Sequence, residues 1–401
     1  MERVIMLVDM NAFFISCEMS RHAALKNKPA AVTGDPEKRT GIVLAANYEA
    51  RSRGVRTAMS LGEALRKCPE LLRVPPDHAC YSACSRQVMD LLADFSPCLQ
   101  QNSIDEAWLD MTGTRHLFGT PEEAAALIMD TLLQKLDLPC SIGISSNRFL
   151  AKMAADMKKP LGITCLWPAD VETRLWPLPI QSLYGIGEKT ADKLARLSIH
   201  TIGQLAQADS GLLHRLLGSH GPDLKMKARG IDPSPVIPHL KDDMKSIGRS
   251  ATLAADAYDP EDVREIFLSL AEEVGIRARK HGKKGTTIQI VLKFNDFQLI
   301  TRQVTVPATC YTTDLFQTGF RLLSRHWPAN RGVRLIGISL GGFQEETHHQ
   351  LTIFDALSTE ENDTASPASS RQMDQVMDAI RQKHGVRSVV RGTFVRLKSK
   401  E

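Results

Sequence analysis

The chain has 401 residues, enough for about two to four ordinary domains, and with 43% apolar and 24% charged residues it reads as globular over most of its length. Its 50 Lys+Arg against 46 Asp+Glu leave a net charge of only +4, too small to argue for a nucleic-acid partner, so that claim falls to where the charges sit. Eight scattered cysteines form no CxxC and no zinc-type spacing, which argues against a disulfide framework and for a reducing cytoplasm; the apolar run 4–8 is shorter than a signal-peptide core and far short of the ~18 residues of a membrane span.

Residues 3–8 are apolar and β-branched, end on Asp9, and predict a buried strand. Phe13 and Phe14 follow, then a polar helix to about residue 26. Turn signals Gly34-Asp35-Pro36 and Arg39-Thr40-Gly41 separate short strands from residue 30 onward. Helical patterns occupy 45–68 and 79–95, and 97–112 alternates like a hairpin. Residues 121–136 predict an amphipathic helix opened by Thr120-Pro121; a strand at 141–144 and a helix to about residue 157 complete the series. Strand-helix-strand-strand-helix-strand order predicts an α+β fold with a split βαβ, ferredoxin-like sheet, the early helical region being inserted into it. Breaks at Trp167-Pro168 and Trp176-Pro177-Leu178-Pro179 precede short helices over 180–230, closed by a Pro-rich connector to Pro238. Residues 244–342 predict a second α+β domain: helix 260–280, a basic turn 279–285, strand 286–294, then further strands and a helix. Residues 358–370 have linker composition, before a last helix at about 371–384 and a basic end.

Adjacent acids occur seven times in the chain, so an Asp-Glu pair says little by itself. Asp105-Glu106 differs because Ile104, Ala107, Trp108 and Leu109 surround it, and unpaired charge is costly to bury there. Asp9 has the same character at the end of its apolar strand. Three hard oxygen donors with no His or Cys nearby suit Mg²⁺, which keeps waters and takes other ligands from substrate phosphates. Two such ions can stabilise the attacking and leaving oxygens of an in-line phosphoryl displacement. The carbonyl of Met10 is a further candidate ligand.

The segments VDMNAFF (8–14), ANYEAR (46–51), NSIDEAWLD (102–110), SIGISSNRFLAKMAADMKKPLGI (141–163) and LYGIG (183–187) occur in this order. Together they resemble the Y-family of DNA polymerases, the translesion class, in its bacterial branch; the resemblance covers residues 1 to about 342. It implies a right-hand polymerase: palm at 1–18 and 76–165, fingers at 19–75, a helix-hairpin-helix thumb at 166–232, a little finger at 243–342 and a flexible tail at 343–401. It implies template-directed, low-fidelity addition of dNTPs to a primer 3′-OH with two Mg²⁺, on primer-template DNA, by a monomer. No second carboxylate cluster suggests a proofreading exonuclease.

The resemblance also assigns residues. Asp9, Asp105 and Glu106, with the Met10 carbonyl, would hold the metals. Phe14 would be the steric gate that excludes a ribose 2′-OH, with Phe13 beside it in the dNTP pocket. Tyr48 and Arg51, three apart on one helix face, and Lys159 would contact the triphosphate. Gly185 and Gly187 would bring the thumb backbone to a DNA phosphate. Lys152, Lys245, Arg249, Arg331 and Arg334 would contact DNA, and Lys283 and Lys284 lie in the same basic region. Gln350, Leu351, Ile353 and Phe354 resemble a sliding-clamp-binding peptide. Two positions depart from the pattern: Ala45 stands where a hydroxyl residue is common, and Trp108 replaces the usual Tyr or Phe.

Two other readings compete. A palm-type nucleotide cyclase would carry Gly-Gly before the acids, where this chain has Asn102-Ser103. A catalytically inactive DNA-binding accessory protein is the other, and the presence of all three acids gives it no support.

Overall fold

The computed structural model describes residues 3–35, 39, 41–238, 244–328, 330–343, 367–385 and 388–391. The chain folds into two compact units, residues 1–36 with 41–240, and 37–40 with 241–401. Among the described residues no helix is long and apolar enough to cross a membrane.

The first unit begins with a fully buried strand, Ile5–Met10 (β1), and the helix Phe13–Arg21 (α1). A small sheet follows from Ala30–Thr33 (β2), Val43–Ala46 (β3) and Leu72–Val74 (β4), with the short helices Tyr48–Ser52 (α2) and Leu61–Lys67 (α3). The helical pattern expected from residue 45 therefore starts later. Ala45 and Ala46 pair with Val32 and Ala31 instead, and Asn47 caps α2 by accepting from the Ala50 N–H. Small buried residues tolerate either backbone, and sheet pairing decided between them.

His78–Ala93 (α4) leads into the hairpin Leu99–Gln101 (β5) and Glu106–Asp110 (β6). Arg115–Phe118 (α5) and Pro121–Leu136 (α6) follow, the latter opened by the Thr120/Glu123 capping box with Pro121 in its first turn. Cys140–Ser145 (β7), Arg148–Met157 (α7) and Ile163–Cys165 (β8) finish a five-stranded sheet in the order β5-β6-β1-β7-β8. The series β1-α4-β5-β6-α6-β7 within it is the split βαβ arrangement expected from the sequence.

The two faces of this sheet have different jobs. Met6, Val8 and Met10 enter a core with Tyr81, Val88 and Leu92 of α4 and Ile128 and Leu132 of α6. Ile5 and Leu7 alternate to the other face, where Trp108 and the Ala151 and Ala155 of α7 cover them. Helix α7 lies this close because of Gly143: a Cβ there would sit 2.0 Å from the Ala151 carbonyl oxygen and 2.3 Å from the Ala155 nitrogen. Asp9 and its cross-strand partner Glu106 are at the end of the α7-covered face.

The named elements of residues 168–228 are all helical, short one-turn segments and then Glu188–Ala195 (α8), Ile202–Gln207 (α9), Ser210–Leu217 (α10) and His220–Ala228 (α11) around their own apolar cluster.

The second unit is an antiparallel sheet of Ser246–Ala257 (β9), Gly285–Phe294 (β10), Leu299–Thr309 (β11) and Val333–Phe343 (β12), in the order β11-β10-β12-β9. Arg264–Lys280 (α12) and Thr312–Arg325 (α13) cover one face; Ile288, Ile290, Leu292 and Phe294 alternate inward beneath them. Gly248, Ser250, Val291, Gly337 and Ser339 line a shallow hollow on the sheet. The last helix, Pro367–His384 (α14), is docked by a set of ion pairs beside the buried Met377. Asp374, 2% exposed, accepts from the Thr312 N–H and from Arg279 and Arg391; Arg279 also reaches Asp378, and Arg381 and Arg391 both reach Glu272.

Candidate active site

Asp9 and Glu106 are directly opposite each other on adjacent antiparallel strands. Like charges in that relation repel, so the pair needs a cation. The structure supplies one from α7: the Lys152 ammonium donates to Asp9 Oδ2 at 3.0 Å and to Glu106 Oε2 at 2.6 Å. Lys159, just beyond α7, reaches the same Asp9 oxygen at 2.8 Å. Asp156 stands between the two lysines, 3.5 Å from Lys152 and 2.8 Å from Lys159. Burial works against Asp9's charge, but the two ammonium groups outweigh it and hold the carboxyl below its ordinary range. Burial likewise opposes the charge of each lysine, and the carboxylates win, so both titrate above the usual lysine range.

The turn before β6 fixes the third acid. Asp105 accepts from the Ser103 hydroxyl at 2.5 Å, and its carbonyl accepts from the Met10 N–H at 2.9 Å, tying the turn to the end of β1. Asn102 donates to the other oxygen of Glu106. Each carboxylate is thus turned to a protein partner, and among the described residues no three ligand-type side chains already converge on one point. The donor set still fits a hard divalent cation. It is all oxygen, and one positive centre, the Lys152 ammonium, already bridges two of the three acids at close range.

These acids open into a cavity of about 450 Å³ lined by Asp9, Met10, Phe13, Phe14, Tyr48, Arg51, Asp105, Glu106, Lys152 and Lys159. These ten residues, all singled out in the sequence, thus line one space. Phe14 stacks on Tyr81 with ring centroids 4.5 Å apart and meets His78 edge-on, which fixes its ring; Tyr81 is in turn held by its hydroxyl donating to Glu18. Phe13 is buried in the core beside it, 3% exposed, so it supports the wall more than it offers surface. Arg51 lies over the Tyr48 ring and donates to the Ala46 carbonyl. The Tyr48 hydroxyl is buried and has no protein hydrogen-bond partner, and burial pushes its phenol up. Such an orphan group costs about 1–3 kcal/mol unless a ligand or water meets it. Ala45 contributes only a methyl to the wall. Trp108 packs on the same sheet face as Glu106, its indole N–H donating to the Arg148 carbonyl and the Arg148 guanidinium stacked on its ring.

Other expected positions fall elsewhere. Lys152 is the correction: grouped in the sequence with DNA contacts, it is 8% exposed inside the cavity, because Gly143 lets α7 press its inward face onto the sheet. In the second unit, Arg249 registers with the buried Ile338, so it turns toward α12 and pairs with Glu273; Arg331 is engaged by Asp296 and Gln298. Arg334 lies over Phe297, and Lys245 is exposed. Gly185 takes φ of +97°, a conformation that favours glycine, and Gly187 is the residue before α8. Gln350, Leu351, Ile353 and Phe354 lie outside the described residues.

Four contributors were not singled out by the sequence. Asn11 bonds Ser141 and accepts from the Leu161 N–H, which ties the Lys159 loop to β1; Asn47 braces the segment before Tyr48 by bonding residues 28 and 30. Tyr81 underlies Phe14. Asp156 joins the two lysines, and its spacing of four after Lys152 and three before Lys159 was a readable helical signal.

Three family models match the chain: the impB/mucB/samB family over residues 8–156, the IMS family HHH motif over 168–199, and the impB/mucB/samB family C-terminal domain over 244–353. The chain is 50% identical to DNA polymerase IV of Alkaliphilus oremlandii (strain OhILAs), across 98% of this chain and 100% of that protein. It is 40% identical to DNA polymerase IV 1 of Bacillus subtilis (strain 168), across 98% and 94% respectively. Among solved structures it is similar to a Y-family DNA polymerase chimera, with a TM-score of 0.76 and 26% identity over 85% of this chain and 99% of that one.

Proposed function

The chain belongs to the impB/mucB/samB family and is a Y-family DNA-directed DNA polymerase of the translesion class, and from that premise we propose how its residues divide the reaction. Binding of primer-template DNA and dNTPs and dependence on a divalent metal follow from the family. Asp9, Asp105, Glu106 and the Met10 carbonyl hold two magnesium ions, which when bound supply positive charge to the attacking and leaving oxygens of the displacement. Phe14, braced by Tyr81, blocks the space of a ribose 2′-OH. Tyr48 and Arg51 bind the triphosphate, the orphan hydroxyl of Tyr48 gaining its missing partner there. Lys159 carries positive charge to the phosphates that leave as pyrophosphate.

The five-stranded sheet is the palm, the small sheet with α2 and α3 the fingers, residues 166–232 the thumb and the four-stranded sheet the little finger. The small and polar sheet positions around Gly248, Ser250, Gly337 and Ser339 let a DNA backbone approach closely. Residues 350–354 dock on a sliding clamp.

One observation carries this reading: the acids, the aromatic ring and the phosphate-type cations line the same cavity. Primer extension with Asp105→Asn or Glu106→Gln is expected to fall at least about 100-fold, the scale of losing a group that stabilises developing charge. Affinity for primer-template DNA, read by fluorescence anisotropy, is expected to hold. Extension at the wild-type rate by either variant would remove these residues from the chemistry.

A further inference from the structure

Two lysines and the metal compete for the same oxygens. Asp9 Oδ2 accepts from both Lys152 and Lys159, and Glu106 Oε2 accepts from Lys152. A divalent ion bound at ~2.1 Å to either oxygen cannot share it with an ammonium group at that range without strong repulsion between the two cations. Metal binding through these two oxygens therefore requires the ammonium groups to move off. Lys152 is largely buried on the inner side of α7, so water is not freely available to take its charge.

A receiving carboxylate is already in place. Among the described residues, Asp156 is the one other carboxylate within 4 Å of both ammonium groups, at 3.5 Å from Lys152 and 2.8 Å from Lys159. It is four residues after Lys152 and three before Lys159. Its side chain is 46% exposed, so it stays solvated whichever lysine it holds. The ring of Tyr184, 6.0 Å from the Lys152 ammonium, gives that charge a second face to rest against.

We propose that Asp156 is a positioning residue that draws Lys152 and Lys159 off Asp9 and Glu106, so that the division of two lysines among three carboxylates sets metal affinity. This rests on Asp9, Asp105 and Glu106 being the metal ligands. Asp156 itself touches neither metal nor nucleotide in this role. Losing it would leave both lysines with only the metal's own ligands to pair with.

The test is binding of Mn²⁺ to the full-length protein without DNA or nucleotide, followed by electron paramagnetic resonance of the free ion. Lys152→Met keeps the aliphatic stem and is expected to tighten Mn²⁺ binding. Asp156→Asn is expected to weaken it about fivefold, the low end of coupling between interacting sites, and Asp156→Glu to restore it. A simple through-space loss of one negative charge would also weaken binding, so the Asp156→Asn effect is measured again with Lys152→Met and Lys159→Met present. Disappearance of the effect there supports the proposal. The same effect in both backgrounds, or no tightening in Lys152→Met, overturns it. Asp105→Asn serves as the control: if Mn²⁺ binds it as it binds the wild type, the ligand assignment falls and the proposal with it. If Asp105→Asn loses Mn²⁺ while the Asp156 and Lys152 variants match the wild type, the ligands stand and the proposal alone fails.

Discussion

The wall that Phe14 presents is set by a neighbour 67 positions away in sequence, since its ring lies flat on Tyr81 and Tyr81 is anchored to Glu18. Removing the Phe14 ring opens space without disturbing that support. Phe14→Ala is therefore expected to admit ribonucleotides, raising rNTP incorporation relative to dNTP at least about tenfold in primer-extension assays; unchanged sugar discrimination would take the gate away from this residue. The sequence made Asp9, Phe14, Tyr48, Arg51 and Lys159 legible because they stand in short recognisable strings. It left Lys152 misplaced, because whether a helical lysine faces water or a carboxylate depends on which face the helix buries. Gly143, the residue that settles this, carries no charge and no chemistry to draw attention. Tyr81 and Asn11 went unnoticed for a related reason: their partners are remote in the chain.

At the scale of elements, segments with strong apolar periodicity were readable nearly to their ends. The helix over 121–136 has its expected bounds, and the split βαβ order follows directly from the strand and helix sequence. Weakly patterned Ala-rich sequence around β3 was not readable, since only its pairing with β2 makes it a strand. Helix α14 was legible as a helix but its attachment was not. The ion pairs join Arg279 to Asp374 and Asp378, about a hundred residues apart, and no local pattern records a pairing at that distance. Because Asp374 is nearly sealed from water, removing it leaves the Thr312 N–H without its acceptor and takes one of two carboxylates from each of Arg279 and Arg391, which keep Asp378 and Glu272. Asp374→Ala is expected to cost the second unit about 2 kcal/mol and to loosen α14. Hydrogen exchange would read this as lost protection over 372–384 with the first unit unchanged. Full protection of α14 in that variant would show that its other ion pairs, Arg279–Asp378 and Arg381–Glu272, together with buried Met377, hold it without Asp374.

For the molecule as a whole, the resemblance reached function sooner than the physics of composition could. A net charge of +4 neither demands nor forbids DNA. The peptide at 350–354 raises a question of scale too, since a clamp acts on processivity and not on the chemical step. Deleting those residues is expected to abolish stimulation by a sliding clamp while extension without the clamp continues at its former rate. Clamp stimulation that survives the deletion would assign the docking peptide elsewhere. The charge balance of the active-site cavity bears on kinetics in another way. Asp9, Asp105, Glu106 and Asp156 stand against Arg51, Lys152 and Lys159, so the site nearly neutralises itself. The protein alone therefore projects little field from the cavity, and the charge that steers an incoming triphosphate is that of the bound metal ions. Grip on a phosphate backbone, by contrast, decays steeply as salt rises. Ionic strength would then govern how long the enzyme remains on a template, while metal occupancy governs how readily it refills its pocket.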